Sequence, residues 1–199
     1  MNAIASRFGR IFAALALAAT LAGCGVNAIP TKEEAAKAAW GDVQAQYQRR
    51  ADLIPNLVAS VQGYARQERE VLTQVTEARA RATQVTIDAS TITDPEKFRQ
   101  FQEAQSQLSG VLGRLIAISE NYPDLRSNQN FLALQSQLEG TENRIAVARR
   151  DYNAAVQSYN TELRTFPGAL WAGTLYKNQK PLQAFEATAG AERAPEVKF

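Results

Sequence analysis

Between residues 131 and 166 every seventh position carries a large apolar side chain: Phe131, Leu138, Ile145, Tyr152, Tyr159 and Phe166. Leu134, Thr141, Ala148 and Ala155 form a second row three residues on. At 3.6 residues per turn these two rows share one face of a helix, and only another helix can cover such a face over about ten turns. A strand needs alternation with period two, which no stretch of this chain shows. The pattern opens near Asn128 and closes at Pro167 and Gly168, both helix terminators.

The same spacing recurs upstream. Positions 40, 47, 54, 61, 68, 75 and 82 read Trp, Tyr, Ile, Val, Glu, Val, Ala, and positions 43, 57, 71, 78 and 85 read Val, Leu, Val, Ala, Val. Thr31 and Glu34 have capping-box spacing, so a first helix is predicted from there to about residue 89. Thr93, Asp94, Pro95 and Glu96 signal a second start, followed by Phe98, Phe101, Leu108, Leu112 and Leu115 and a stop before Pro123. Leu170, Trp171, Leu175, Tyr176, Leu182 and Phe185 predict that residues 169–186 pack back on the helices. The fold class is all-α, an antiparallel up-and-down bundle resembling a four-helix bundle. One length does not match. A straight first helix would be roughly 85 Å long against partners of roughly 40 and 57 Å, leaving Trp40, Val43 and Tyr47 of an overhanging 31–54 stretch uncovered. A break at Pro55 would remove the overhang, whereas the uninterrupted heptads favour one helix kinked there; both stay open.

The N-terminus reads as a targeting segment. Arg7 and Arg10 precede an apolar run at 11–22, too short to cross a bilayer, and Leu21, Ala22, Gly23 and Cys24 then resemble a bacterial lipobox. Such a signal implies cleavage after residue 23, a diacylglyceryl group on the Cys24 sulfur and an N-acyl chain such as palmitate, enough for stable anchoring. The predicted organisation is a signal peptide at 1–23, a tether at 24–30, the helical domain at 31–186 and a disordered tail at 187–199. Removing Arg7 and Arg10 leaves equal numbers of basic and acidic residues, so the chain's pI of 8.8 carries no nucleic-acid signal. The expected location is the extracytoplasmic side of a membrane; Gly25, where the inner-membrane sorting signal has Asp, favours the outer membrane of a Gram-negative cell.

Three blocks then agree in order: Arg49, Arg50, Ala51, Asp52, Leu53, Ile54, Pro55, Asn56 and Leu57; Tyr122, Pro123, Asp124 and Leu125 with Asn130 and Phe131; and Thr141, Glu142, Asn143, Arg144 and Ile145 with Arg149, Arg150, Tyr152, Asn153, Tyr159, Asn160, Phe166 and Pro167. Together they resemble the LemA family of bacterial envelope proteins across residues 40–186. The resemblance implies an antiparallel helical bundle, membrane attachment and no established enzymatic activity. Many members have a membrane helix where this chain has a lipobox, and a His where it has Gln67.

The chain has no His and one Cys, which removes Ser-His and Cys-His nucleophiles, imidazole metal sites, thiolate zinc clusters and internal disulfides. No cofactor or metal is expected. Glu68 interrupts the apolar stripe, and a buried carboxylate needs a partner. With Thr141, Asn143, Arg144 and Arg149 it is a candidate buried polar network; a general acid acting in a hydrolase is the alternative role. Asn153 and Asn160 suit either a polar binding groove or the same network. Arg49, Arg50 and Asp52 beside Pro55 are a candidate partner surface, while Arg79 and Arg81 read as ordinary helix-face charges. The expected function is a non-catalytic lipoprotein scaffold or adaptor for unidentified envelope proteins, with a self-assembling coiled-coil rod formed through 31–54 as the alternative. If the stripe is core, Leu138→Ala or Ile145→Ala lowers the unfolding free energy by about 2–5 kcal/mol. Urea denaturation of the two variants checks this, and losses near zero at both would show that the stripe faces water.

Overall fold

The computed structural model describes residues 25–84, 88 and 90–186; the signal segment at 1–23, Cys24 and the tail at 187–199 lie outside the described residues. The described residues hold α-helices α1 (Ala28–Tyr64), α2 (Arg69–Gln84), α3 (Pro95–Ser119), α4 (Pro123–Arg126), α5 (Gln129–Arg164) and α6 (Gly168–Thr174), a 3-10 turn at Thr91–Thr93 and no strand. None of these helices is long and apolar enough to cross a membrane.

α1 and α5 are paired antiparallel along their whole length of about 55 Å. Four contacts fix that pairing in order: the Lys32–Glu162 ion pair, the Trp40 and Tyr152 rings 5.2 Å apart, Arg50 Nη1 2.9 Å from Glu142 Oε1, and Asn128 Nδ2 donating to Tyr64 Oη at 2.8 Å. α2 and α3 form a second antiparallel pair, bonded from Arg114 Nη1 to Gln74 Oε1 at 3.1 Å and from Gln105 Nε2 to the Ala82 carbonyl at 3.2 Å.

The long first helix of the sequence reading is two helices, and the division is not at Pro55. α1 runs through that proline and ends at Tyr64. Proline lacks the N–H that would bond the carbonyl four residues back, here that of the buried Ala51, and its ring crowds that oxygen. Arg79 of α2 supplies the missing donor: its Nε bonds the Ala51 carbonyl at 2.8 Å. Arg79 is therefore not an ordinary surface charge. The chain reverses instead at 65–68, where Ala65 is buried and the next five residues are all polar. Continuing the helix would carry Glu68 onto the buried face; turning leaves it half-buried between α1 and α2 and returns Val71, Leu72 and Val75 to the core.

The start signals fare unevenly. Asp94 caps α3, accepting from the amides of Glu96 and Lys97, and Asn128 caps α5 by accepting from the Phe131 amide at 3.1 Å. α1 starts at Ala28, not at Thr31, and Asn27 offers it no side-chain cap. The tether is shorter than predicted, because Ile29 is already fully buried. Five of the six heptad residues of α5 are buried, but Phe166 lies beyond the helix end and is 86% exposed.

No overhang remains at 31–54. Trp40, Val43 and Tyr47 are covered by Phe98, Phe101, Tyr152 and Phe185 of the same chain. Part of that cover is a strap at 176–186, which opens with a turn at 176–179 and has no helix from there to 186. Asn160 donates to the Leu182 carbonyl and accepts from the Leu182 amide, both at 2.9 Å; Asn153 does the same with Phe185. Seven helical residues and three extended residues both span about 10 Å, so two asparagines two turns apart meet the strap in register. Tyr152 donates to the Gln183 carbonyl at 2.7 Å and Tyr159 to Gln179 at 3.0 Å; burial pushes the Tyr159 hydroxyl up to about 12. Gly168 closes the turn into α6 because a Cβ there would sit 2.2 Å from the Glu162 carbonyl oxygen.

Arg79→Ala leaves the Ala51 carbonyl without a donor and costs about 1–3 kcal/mol. In a Pro55→Ala background the amide of residue 55 takes over, and the same substitution costs less than half as much. A double-mutant cycle in urea measures both; equal penalties in the two backgrounds would refute the role given to Arg79.

Candidate functional site

The most polar part of the interior lies midway along α1. Arg50 is 1% exposed, the largest side chain so deeply buried among the described residues. Its Nη1 bonds Ser109 Oγ at 2.7 Å and Glu142 Oε1 at 2.9 Å, and its Nη2 bonds the Gln105 side-chain oxygen at 2.5 Å and backbone carbonyl at 3.3 Å. The guanidinium also lies 5.0 Å from the centre of the Tyr47 ring. One fork thus ties α1 to α3 and α5. Gln105 extends the network to α2, whose Ala82 carbonyl is among the orphan acceptors of that helix end.

This layer separates two cores. On one side are Trp40, Tyr47, Phe98, Phe101, Tyr152 and Phe185; on the other are Ile54, Leu57, Leu108, Leu112, Phe131 and Leu138. Thr141 lies at the same level, fully buried, its hydroxyl donating to the Gln137 carbonyl at 2.8 Å. Beside the layer a cavity of about 390 Å³ opens between α3 and α5. Tyr47, Arg50, Gln105 and Glu142 are among its lining residues, with Arg149 and Phe185. Burial raises the Tyr47 hydroxyl pKa, with Arg149 and Arg50 acting in the opposite sense. Among the described residues no group of three His, Cys, Asp or Glu side chains could hold a metal.

The candidate residues are redistributed. Arg50 is withdrawn from the partner surface because its four hydrogen bonds all run inward; Arg49 and Asp52 are exposed, and Asp52 accepts from Gln48 at 2.8 Å. Thr141 is in the buried layer, but Asn143 and Arg144 are exposed, lining a groove with Ala39, Asp42 and Gln46 of α1. Arg149 is half-buried, with its guanidinium 4.4 Å from the Phe185 ring centre and 3.4 Å from the Glu186 carbonyl. Glu68 joins none of them. It sits in the reversal between α1 and α2 and accepts a 2.7 Å bond from the Tyr122 hydroxyl, whose pKa that bond raises. Asn153 and Asn160 hold the strap. The buried arginine had left a trace in the sequence: the row of Val43, Leu57 and Val71 skips positions 50 and 64, and Arg50 stands at the first gap.

Residues 39–199 match the family model described as the LemA family. The chain belongs to the LemA family. It is similar to Protein LemA of Metamycoplasma hominis, 28% identical over 124 residues that cover 62% of this chain and 52% of that protein. It is also similar to Magnetosome protein MamQ of Magnetospirillum gryphiswaldense, 26% identical over 157 residues covering 71% of this chain and 58% of the relative. A shorter match, 39% identical over 64 residues, joins it to Magnetosome protein MamQ 2 of Paramagnetospirillum magneticum, covering 32% of this chain and 24% of that one. The chain thus spans little more than half the length of these curated relatives, or less.

Arg50→Ala costs about 3–5 kcal/mol, through a cavity and an unpaired Gln105. Arg50→Lys keeps the charge but not the planar fork, and recovers less than half of that loss. Urea midpoints of the two variants decide; full recovery by lysine would show that charge alone matters.

Proposed function

We propose that this LemA-family protein is a lipid-anchored, non-catalytic adaptor on the extracytoplasmic side of a bacterial membrane. Cys24 would carry the lipid, and the helical rod would present its surface to other envelope proteins. The observation that carries this reading is the geometry of α1. It begins four residues after Cys24 and continues unbroken to Tyr64, so the opposite end of the bundle stands about 55 Å from the lipidation point. We read the paired α1, α2, α3 and α5 as a four-helix bundle of the up-and-down kind; the two antiparallel pairs and the core they enclose support that reading. Arg49 and Asp52, exposed partway along α1, remain the candidate partner surface.

The alternatives lose their original basis. Trp40 and Tyr47 are buried within the chain, so the 31–54 stripe offers no seam to a second copy. Glu68 accepts a hydrogen bond from Tyr122 in a surface turn, which gives a general acid no support. The cavity beside Arg50 is lined by charges largely paired already, Glu142 with Arg50 and Glu103 with Arg99.

Cys24→Ala releases the folded protein from the membrane fraction; retention there would refute the lipid anchor. In-cell crosslinking compares wild type with an Arg49→Glu, Asp52→Arg variant. Loss of one near-stoichiometric envelope partner in the variant is the expected outcome, and self-crosslinks alone would overturn the adaptor reading.

A further inference from the structure

Six large apolar side chains are exposed among the described residues, and the three most exposed are Phe166 at 86%, Leu175 at 63% and Leu170 at 51%. All three fall within ten residues around α6, at one end of the bundle. α6 is held there by Trp171 and Ala172, which pack on the aromatic core, so the exposure of Leu170 is not fraying of a loose end. Large apolar side chains this exposed and concentrated in one ten-residue segment point to a surface that something covers.

The position of Gly25, the first described residue, points to what covers it. Gly25 has φ +102°, a conformation that favours glycine, and a Cβ on it would lie 3.2 Å from Pro167 Cγ. The residue after Cys24 is therefore packed against the residue after Phe166. One residue spans 3.8 Å, so a lipid on Cys24 would hold the bilayer surface within about 10 Å of Pro167. Arg164 and Lys177, both exposed and two residues from Phe166 and Leu175 respectively, add positive charge beside the apolar side chains. Apolar residues with flanking cations are the composition of an interfacial surface for anionic lipid.

We propose that Phe166, Leu170 and Leu175 form a membrane-contact surface that seats this end of the bundle in the interfacial layer of an anionic bilayer. The inference rests on the lipid-anchor reading and extends it. The lipid then fixes the distance of the chain from the membrane, and the apolar surface fixes its orientation, with the Glu68 end directed outward.

The test uses the lipidated full chain in vesicles of phosphatidylethanolamine and phosphatidylglycerol that contain brominated acyl chains. An environment-sensitive fluorophore is placed on Leu170→Cys, on Leu175→Cys or, at the opposite end, on Gln62→Cys. The expected result is a blue shift and loss of fluorescence to bromine at 170 and 175, with neither at 62. Floating protein with unquenched labels at 170 and 175 would overturn the contact surface while leaving the anchor intact. A blue shift at 170 and 175 that grows with protein concentration and ignores bromine would overturn it in favour of a second copy. Failure of the protein to float with the vesicles would overturn both readings. As a second measurement, Phe166→Glu, Leu170→Glu, Leu175→Glu together should keep flotation but abolish quenching of a label at Lys177→Cys; quenching undiminished by the three charges would also refute the proposal.

Discussion

Pro55 removes one backbone donor from the middle of the longest helix, and much of the architecture follows from how that loss is met. Arg79 reaches from α2 and bonds the Ala51 carbonyl that the proline leaves unpaired. With that acceptor satisfied, α1 continues for two and a half more turns and α5 can pair with it from end to end. The donor comes from the helix that follows the reversal at 65–68, so the reversal and the intact helix support each other. A break at Pro55 would have put the reversal ten residues earlier and left α5 without a partner over its first turns.

The second constraint is the Arg50 layer. Burying a guanidinium is costly unless its donors are met by acceptors of matching geometry. Here α3, through Gln105 and Ser109, and α5, through Glu142, meet the two terminal nitrogens, while Nε has no partner among the described residues; Glu142 supplies the opposite charge from a half-exposed position. The layer divides an aromatic core near the N-terminus of α1 from an aliphatic core near its C-terminus. Sliding α3 or α5 by one turn would strand the arginine. The polar layer therefore helps to set the register, together with the ring contact of Trp40 with Tyr152.

The two ends of the rod differ in the same terms. The end near Gly25 carries the three most exposed large apolar side chains among the described residues, with Arg164 and Lys177 exposed beside them. The far end is a turn held by the bonds from Tyr122 to Glu68 and from Asn128 to Tyr64, where Tyr64 and Leu132 are exposed to a lesser degree. Lipid anchoring at one end and partner contact along an exposed helix face both fit this polarity, and neither needs the interior to do chemistry.

The helices themselves were legible in the amino-acid sequence. Heptad spacing located α1, α3 and α5, and Asp94 and Asn128 marked two helix starts correctly, because periodicity and capping depend on residues within one or two turns. Glu68 was visible as a break in the apolar stripe, and Arg50 was read as part of a partner surface beside Pro55. From the sequence, a charge on such a row reads equally as a buried ion pair, a turn or a partner surface, since the deciding partners lie 54 residues away at Tyr122 and 55 at Gln105. The tertiary structure alone placed the reversal, drew Arg50 inward, matched two asparagines to a strap and left Phe166 outside the core it was patterned to join. Each of those outcomes is set by which surfaces meet across the chain, a property that spacing along it does not carry.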